Sequence, residues 1–280
     1  MKQIGAPVLR RFLAIDEGRA RMSLYEAASR GPDAPPEWSI SLADYPLCRD
    51  LQRLGPALAL VGYDRGFFEL ELSNGRITRL CDRWKEVTAV CRLDDGTTLV
   101  TGLDLEGRSG VNVISLDPEL RVAKVTRRDG DYVRLMRPTA AGTYLLCAND
   151  HILEATPDLV AMRELRAPGF LHAWKPHRFA DGSTLVSAGY GAFMARFDEG
   201  GSLVQTFGGK DEVPPEIEPF FYATFQIADD GNILVANWEG HGPGNGQKGR
   251  QLLEFTSSGE FVGSWSDPAR ISSLQGILGL

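Results

Sequence analysis

The chain has 280 residues, 43% of them hydrophobic, and 31 glycines, which is enough apolar material for a sizeable core but length for only one or two domains. Acidic residues number 37 against 30 lysines and arginines, so the net charge is −7 and the molecular field repels nucleic acid and anionic membranes; neither is expected as a partner. Cys48, Cys81, Cys91 and Cys147 stand far apart with no Cys-x-x-Cys pair, which suggests neither a zinc cluster nor a redox motif and reads as buried, reduced thiols.

Residues 1–18 carry Lys2, Arg10, Arg11 and Asp16 and lack an uninterrupted apolar stretch, so they do not read as a secretory signal. No segment reaches the roughly 18 consecutive apolar residues of a membrane span. A cytoplasmic protein is the expectation.

In chain order, short apolar strands are predicted first at 12–15, 22–26 and 38–42. A repeated phrase then sets the pattern: Asp-Asp-Gly-Thr-Thr-Leu-Val at 94–100, Asp-Gly-Ser-Thr-Leu-Val at 181–186 and Asp-Asp-Gly-Asn-Ile-Leu-Val at 229–235, with a weaker copy at 141–146. Its glycines, Gly96, Gly142, Gly182 and Gly231, lie 46, 40 and 49 residues apart, the spacing of a four-stranded propeller blade. Blade 2 is placed at 46–80, blade 3 at 84–125 and blade 4 at 131–165. Blade 5 has strands at 172–179, 183–188, 192–198 and 203–207, and blade 6 at 221–227, 232–237, 251–256 and 261–265. Residues 271–278 resemble the first strand of the other blades, so the C-terminus is expected to complete blade 1 beside 12–15 and to leave no open blade face. The expected fold is all-β, a six-bladed β-propeller of four-stranded antiparallel blades forming a single domain over 1–280; a β-sandwich or a seven-bladed ring is the structural alternative.

Asp-Asp-Gly-Asn-Ile-Leu-Val-Ala-Asn at 229–237, followed by Leu-Leu-Glu-Phe-Thr-Ser-Ser-Gly-Glu-Phe-Val at 252–262, resembles the six-bladed propeller group of NHL-repeat and gluconolactonase or regucalcin-like proteins. The resemblance covers about a third of the chain and implies fold more than activity. The Glu-Gly-Pro opening that supplies a metal-ligand glutamate in gluconolactonase-like enzymes is absent, and the acidic balance departs from the basic faces of RNA-binding NHL proteins. Neither function transfers.

With the Asp-Gly turns at one end of the blades, the opposite face gathers the remaining turns and the blade starts, among them Trp84, Lys85, Asp104, Glu106, Tyr132 and Arg134. All four histidines, His151, His172, His177 and His241, reach that face. Each reads equally well as a turn cap or packing group, and no spacing demands a divalent metal; the cofactor is left open. His172 and Trp174 share one side of a regular strand, while His177 turns to the other. The glycine-rich segment 237–249 is longer than the equivalent turn of other blades, but no Gly-Lys-Ser/Thr ending or following helix makes it a phosphate loop. Its Glu239 and His241 are the candidate catalytic pair, base and charge stabiliser, against the plainer reading of a flexible, solvated excursion. The insertion 210–219 is expected beside it. Candidate ligand contacts are His172, Trp174, Asn237, Asp150, His151 and His177. Arg53, Arg92, Arg137, Arg178, Gln226 and Gln275 occupy one repeat position and are expected to tie neighbouring blades together; a ring binding an anion in the channel is the sharper alternative, but guanidinium repulsion would need offsetting charge. The favoured function is binding of a small polar, sugar-derivative-like ligand bordered by blades 4 to 6, with hydrolysis, elimination or isomerisation as the chemistry. The rival is a non-catalytic scaffold for a protein or peptide partner, favoured if Ile217, Phe220 and Phe221 face solvent together.

Overall fold

The computed structural model describes residues 6–8, 10–130 and 132–280, with backbone alone at 6 and 7. Lys2, part of the N-terminal reading, and Asp131, the expected start of blade 4, lie outside the described residues. The fold is a six-bladed β-propeller with four-stranded antiparallel blades.

The repeated phrase folds the same way each time. Asp95, Asp181 and Asp230 each accept a hydrogen bond from the backbone N–H two residues on, at 2.8, 2.9 and 3.0 Å. The intervening Gly96, Gly182 and Gly231 sit at φ of 86, 82 and 84°, a left-handed conformation that a side chain would strain. Turn chemistry thus fixes where the first two strands of blades 3, 5 and 6 reverse.

Closure is as expected. Leu274–Gly279 is the C-terminal strand and pairs antiparallel with Arg11–Asp16, Leu278 opposite Leu13 and Ile277 opposite Ala14; Arg21–Glu26 and Trp38–Ser41 complete blade 1. Three details differ from expectation. The first strand of blade 5 is only Pro176–Arg178, because His172 adopts φ +58° and residues 172–175 are irregular, so the side-to-side alternation argued for His172 does not apply. A short strand, Ala6–Pro7, adds in parallel to Phe261–Trp265 of blade 6. Blade 1 also carries a short helix, Ala27–Arg30.

The chain divides into two compact units: Met1–Asp44, Ser187–Ala195 and Val204–Leu280 form one, and Tyr45–Val186 with Arg196–Leu203 the other. In the first, Phe12, Tyr25 and Trp265 pack ring against ring, with centroids 4.8 to 5.5 Å apart, and Trp265 donates its indole N–H to Pro32. Thr224 of blade 6 accepts from the Ile277 N–H and donates to the Gln275 carbonyl, tying the last blade to the closing strand. The second unit is built on Leu60, Phe67, Val90, Val100 and Ile114, all buried.

The repeat-position arginines and glutamines mostly serve as inter-blade ties, and the partners of two arginines are glutamates on third strands. Arg92 of blade 3 bonds Glu69 of blade 2 at 2.8 Å, and Arg178 of blade 5 bonds Glu154 of blade 4 at 2.6 Å. Glu254 plays the same part in blade 6, bonded by Arg10. Arg137 reaches Asp50 of blade 2, and Gln226 reaches the Ile277 carbonyl. Arg53 departs from this pattern, bonding Gly55 within its own blade, and Gln52 instead bridges to the backbone of Arg92.

Candidate functional site

The expected site residues fall into both units. In the first, Asn237 ends the strand Ile233–Asn237 and opens the long loop. Its amide accepts from the N–H groups of Phe220 and Phe221 and donates to the carbonyls of Glu218 and Arg250, so every hydrogen-bonding position is used and none is left for a ligand. The loop itself is pinned. Asn245 directs its Nδ2 at the carbonyls of Gly240, His241 and Gly242, at 2.9 to 3.1 Å, while Ser272 and Ser273 donate to Gly242 and Gly240. This arrangement replaces the solvated excursion considered from sequence.

Glu239 is buried beneath that loop, 2% exposed, with one carboxyl oxygen accepting from the Leu274 N–H and the other without a partner. Burial, reinforced by the nearby Asp16 carboxylate, pushes it up to about 8. At neutral pH it carries a proton, so it is placed to give one rather than take one. His241 is mostly exposed; its Nδ1 pairs with Glu17 at 3.1 Å and its ring packs edge-on against Trp238. Glu239 and His241 therefore have separate partners. Of the apolar insertion residues, Ile217 and Phe221 are buried and only Phe220 is exposed, so the continuous solvent-facing patch that would favour a scaffold is not formed.

In the second unit, Asp150 and His151 belong to a charge ring. His151 Nδ1 meets Asp150 at 2.7 Å, and Arg166 bridges Asp150 to Glu164, also at 2.7 Å. These contacts hold Asp150 down at about 2. His151 and Glu164 line a cavity of about 170 Å³ whose walls include Val111, Val133, Leu146 and Leu153. A more open cleft of about 530 Å³ lies at blade 3, with Trp84 donating its indole N–H to Glu106 at 2.7 Å.

The densest chemistry forms where three blades begin. Arg49 lies one residue before the strand Asp50–Arg53, Arg134 two before Met136–Pro138, and Trp174 two before Pro176–Arg178. Arg49 donates to the Tyr132 hydroxyl at 2.8 Å. The Arg134 guanidinium lies over the Tyr132 ring at 4.2 Å, 5.8 Å from the Trp174 ring, and bonds His172 Nδ1 at 2.9 Å. Among the described residues no carboxylate lies within ion-pairing distance of Arg49 or Arg134, and Arg134 Nε is buried without a partner.

His172 is held below its ordinary value by burial and then by Arg134, so its imidazole is neutral at pH 7. Because a guanidinium only donates, Nδ1 must be the acceptor and Nε2 carries the proton. Beside this cluster, along the same three segments, Asp50 is clamped by Arg137, and Lys175 is pushed down to about 7 by burial and by Arg137. His177, neighboured by both cations and packed edge-on to Phe179, is pushed down to about 4, with burial the main cause. Among the described residues, Arg49, Arg134, Arg137 and Lys175 stand against Asp50, which gives this part of an acidic protein a positive potential. Tyr132 and Arg134 were among the blade-start residues identified in the sequence. Arg49 was not, although it shares their place in the repeat.

Among the described residues no group of three or more His, Cys, Asp or Glu is arranged to hold a metal ion, and no helix is long and apolar enough to cross a membrane. No protein-family model matches the chain, and neither does any curated protein. Solved structures do. A protein of unknown function from Bacteroides caccae is similar at TM-score 0.74 and 18% identity over 98% of this chain and 99% of its own. The WD40 β-propeller domain of Doa1 is similar at TM-score 0.61 and 10% identity over 92% and 79%. A catalytically inactive histidine-to-alanine variant of virginiamycin B lyase from Staphylococcus aureus, with quinupristin, is similar at TM-score 0.54 and 13% identity over 79% and 70%. At these identities the likeness is one of fold alone: the chain is a β-propeller.

Proposed function

We propose that the 280 residues act as one domain that binds a small polar molecule through a carboxylate or phosphate group, with Arg49, Tyr132, Arg134, His172 and Trp174 as the site. The observation that carries this reading is the pair of guanidiniums, one buried and one half-buried, that have no carboxylate partner among the described residues and are held by a tyrosine and an imidazole. Cations withdrawn from water are ordinarily paired, and an anionic ligand would supply that partner. Arg49 and Arg134 present donors only, so they select an acceptor-rich ligand. Among small polar anions, a sugar acid or sugar phosphate fits such donors, its hydroxyls adding acceptors to the charged group. A lyase of the same fold was solved with quinupristin, which supports ligand capture by this architecture without specifying the ligand.

In such a site the donors would stabilise negative charge developing on a carboxylate or enolate oxygen, as elimination and isomerisation both require. Separately, within the first unit, Glu239, protonated at neutral pH, and His241 remain proposed as a proton-transfer pair, with Glu239 as the acid. Thermal melting in the presence of uronic acids, sugar phosphates and the matching neutral sugars tests the reading. Anions raise the melting temperature and neutral sugars do not, since a ligand that binds only the native state stabilises it. An equal response to neutral sugars, or none to any anion, refutes it.

A further inference from the structure

The cavity of about 170 Å³ in the second unit lies between blades 3 and 4 and shares no residue with the anion site. Sheet register builds its walls. On blade 4, Leu146 pairs with Leu153, and Leu153 with Glu164, so the three stand side by side on one face. On blade 3, Val111 pairs with Arg128, and Val133 comes from the segment that joins the two blades. Val111, Val133, Leu146 and Leu153 are buried, whereas Asp129 and Gly130, which also line the cavity, are exposed, so it reaches the surface there. Folded interiors leave few voids larger than a water molecule. A cavity of about 150 Å³ between apolar side chains admits benzene, so this one has room for a hydrocarbon group of about six carbons.

The polar part of the lining decides what that hydrocarbon carries. Glu164 is bonded by Arg166 at 2.7 Å and has His151 Nε2 at 3.8 Å, and Asp129 is bonded by Arg127. Each wall carboxylate therefore has a cation already. Arg128, half-buried, has no such partner: its Nη1 donates to the Leu159 carbonyl at 3.2 Å, and among the described residues it makes no ion pair and no other side-chain hydrogen bond. An apolar space walled in part by a guanidinium with donors to spare matches a hydrocarbon chain that ends in an anionic acceptor.

We infer that this cavity binds a short aliphatic monocarboxylic acid, its chain between Val111 and Val133 on one side and Leu146 and Leu153 on the other, and its carboxylate on Arg128. Apolar contact sets the chain length, and Arg128 sets the head group. The ligand differs in kind from that of the anion site, which takes a polar molecule.

Calorimetric titration of the full chain with acetate, butyrate, hexanoate and decanoate, and with hexanamide, tests this. Affinity is expected to rise from acetate to hexanoate by roughly fourfold per added methylene and to stop rising by decanoate, when the cavity is filled. Hexanamide keeps the chain and lacks the charge, and should bind roughly tenfold or more weaker than hexanoate. Arg128→Gln should lose a similar factor for hexanoate, with circular dichroism checking its fold, whereas Arg134→Met should bind hexanoate like the native chain. The chain-length series needs no variant. No heat from hexanoate, equal binding of acetate and hexanoate, a rise that continues unchanged to decanoate, equal binding of hexanamide, or an affinity lost with Arg134→Met and kept with Arg128→Gln each overturns the inference. Binding of uronic acids is a separate readout and is untouched by any of these results.

Discussion

Glu154→Ala removes the centre of an inter-blade tie. The native carboxylate is 6% exposed and accepts from Arg178 at 2.6 Å, from Arg163 at 2.7 Å and from Thr143 at 2.9 Å. Truncation strands Arg178, whose side chain is 13% exposed and whose other hydrogen bond is to the Gly182 carbonyl. Arg163 loses less, being a third exposed and still bonded to the Glu199 carbonyl. Removing one partner of a buried pair costs about 3–5 kcal/mol, which in a protein of this size lowers the melting temperature by roughly 2–4 °C per kcal/mol. The assay is urea unfolding of the native chain, of Glu154→Ala, of Arg178→Met and of the double variant. A coupling energy of about 2 kcal/mol or more is expected from the cycle. As a control, Asp158→Ala, which breaks the exposed pair with Lys124, should cost under about 1 kcal/mol. A coupling below about 0.5 kcal/mol for Glu154 and Arg178 would refute the view that these glutamates lock blade to blade.

Asn245→Ala deletes the donor that holds three carbonyls of the long loop, and should cost about 1–3 kcal/mol and speed amide exchange across 238–249 while leaving the other blades unaffected. Glu239→Gln should make stability less dependent on pH. Because the folded carboxyl sits near 8, above its ordinary value, the unfolded chain releases this proton first, and native stability falls as pH rises from about 4.5 to about 8. The neutral amide removes that loss, so the variant should melt at a higher temperature than the native chain at pH 9, relative to their difference at pH 4; parallel curves across that range would contradict the burial of this carboxyl.

Legibility in the sequence followed the range of the interactions. The Asp-Gly turns are made by residues two positions apart, so Asp95, Asp181 and Asp230 announce themselves, and from them come the blade count and the strands of blade 6. The closing strand was visible because 271–278 repeats the apolar spacing of the other inner strands. The start of blade 5 was not, since His172 takes a left-handed conformation that no strand pattern forecasts. The site was harder still. Arg134 and Arg137 look alike in sequence, yet Arg137 has Asp50 as its counter-charge and Arg134 has an imidazole and a tyrosine ring. Which arginine is paired depends on residues more than 80 positions away, and so does the importance of Arg49. Burial decided the remaining differences, turning Asn237 into a loop anchor and Glu239 into a protonated acid.

The most direct test of the anion site is a calorimetric titration of the native chain and of Arg134→Met with a uronic acid and its methyl ester. The ester keeps the ring and its hydroxyls and loses only the charge. The native chain should bind the acid and reject the ester, and Arg134→Met should lose at least tenfold in affinity for the acid, the low end expected of a charge-assisted hydrogen bond. Equal binding of acid and ester, or an Arg134→Met variant that binds the acid like the native chain, would contradict the account.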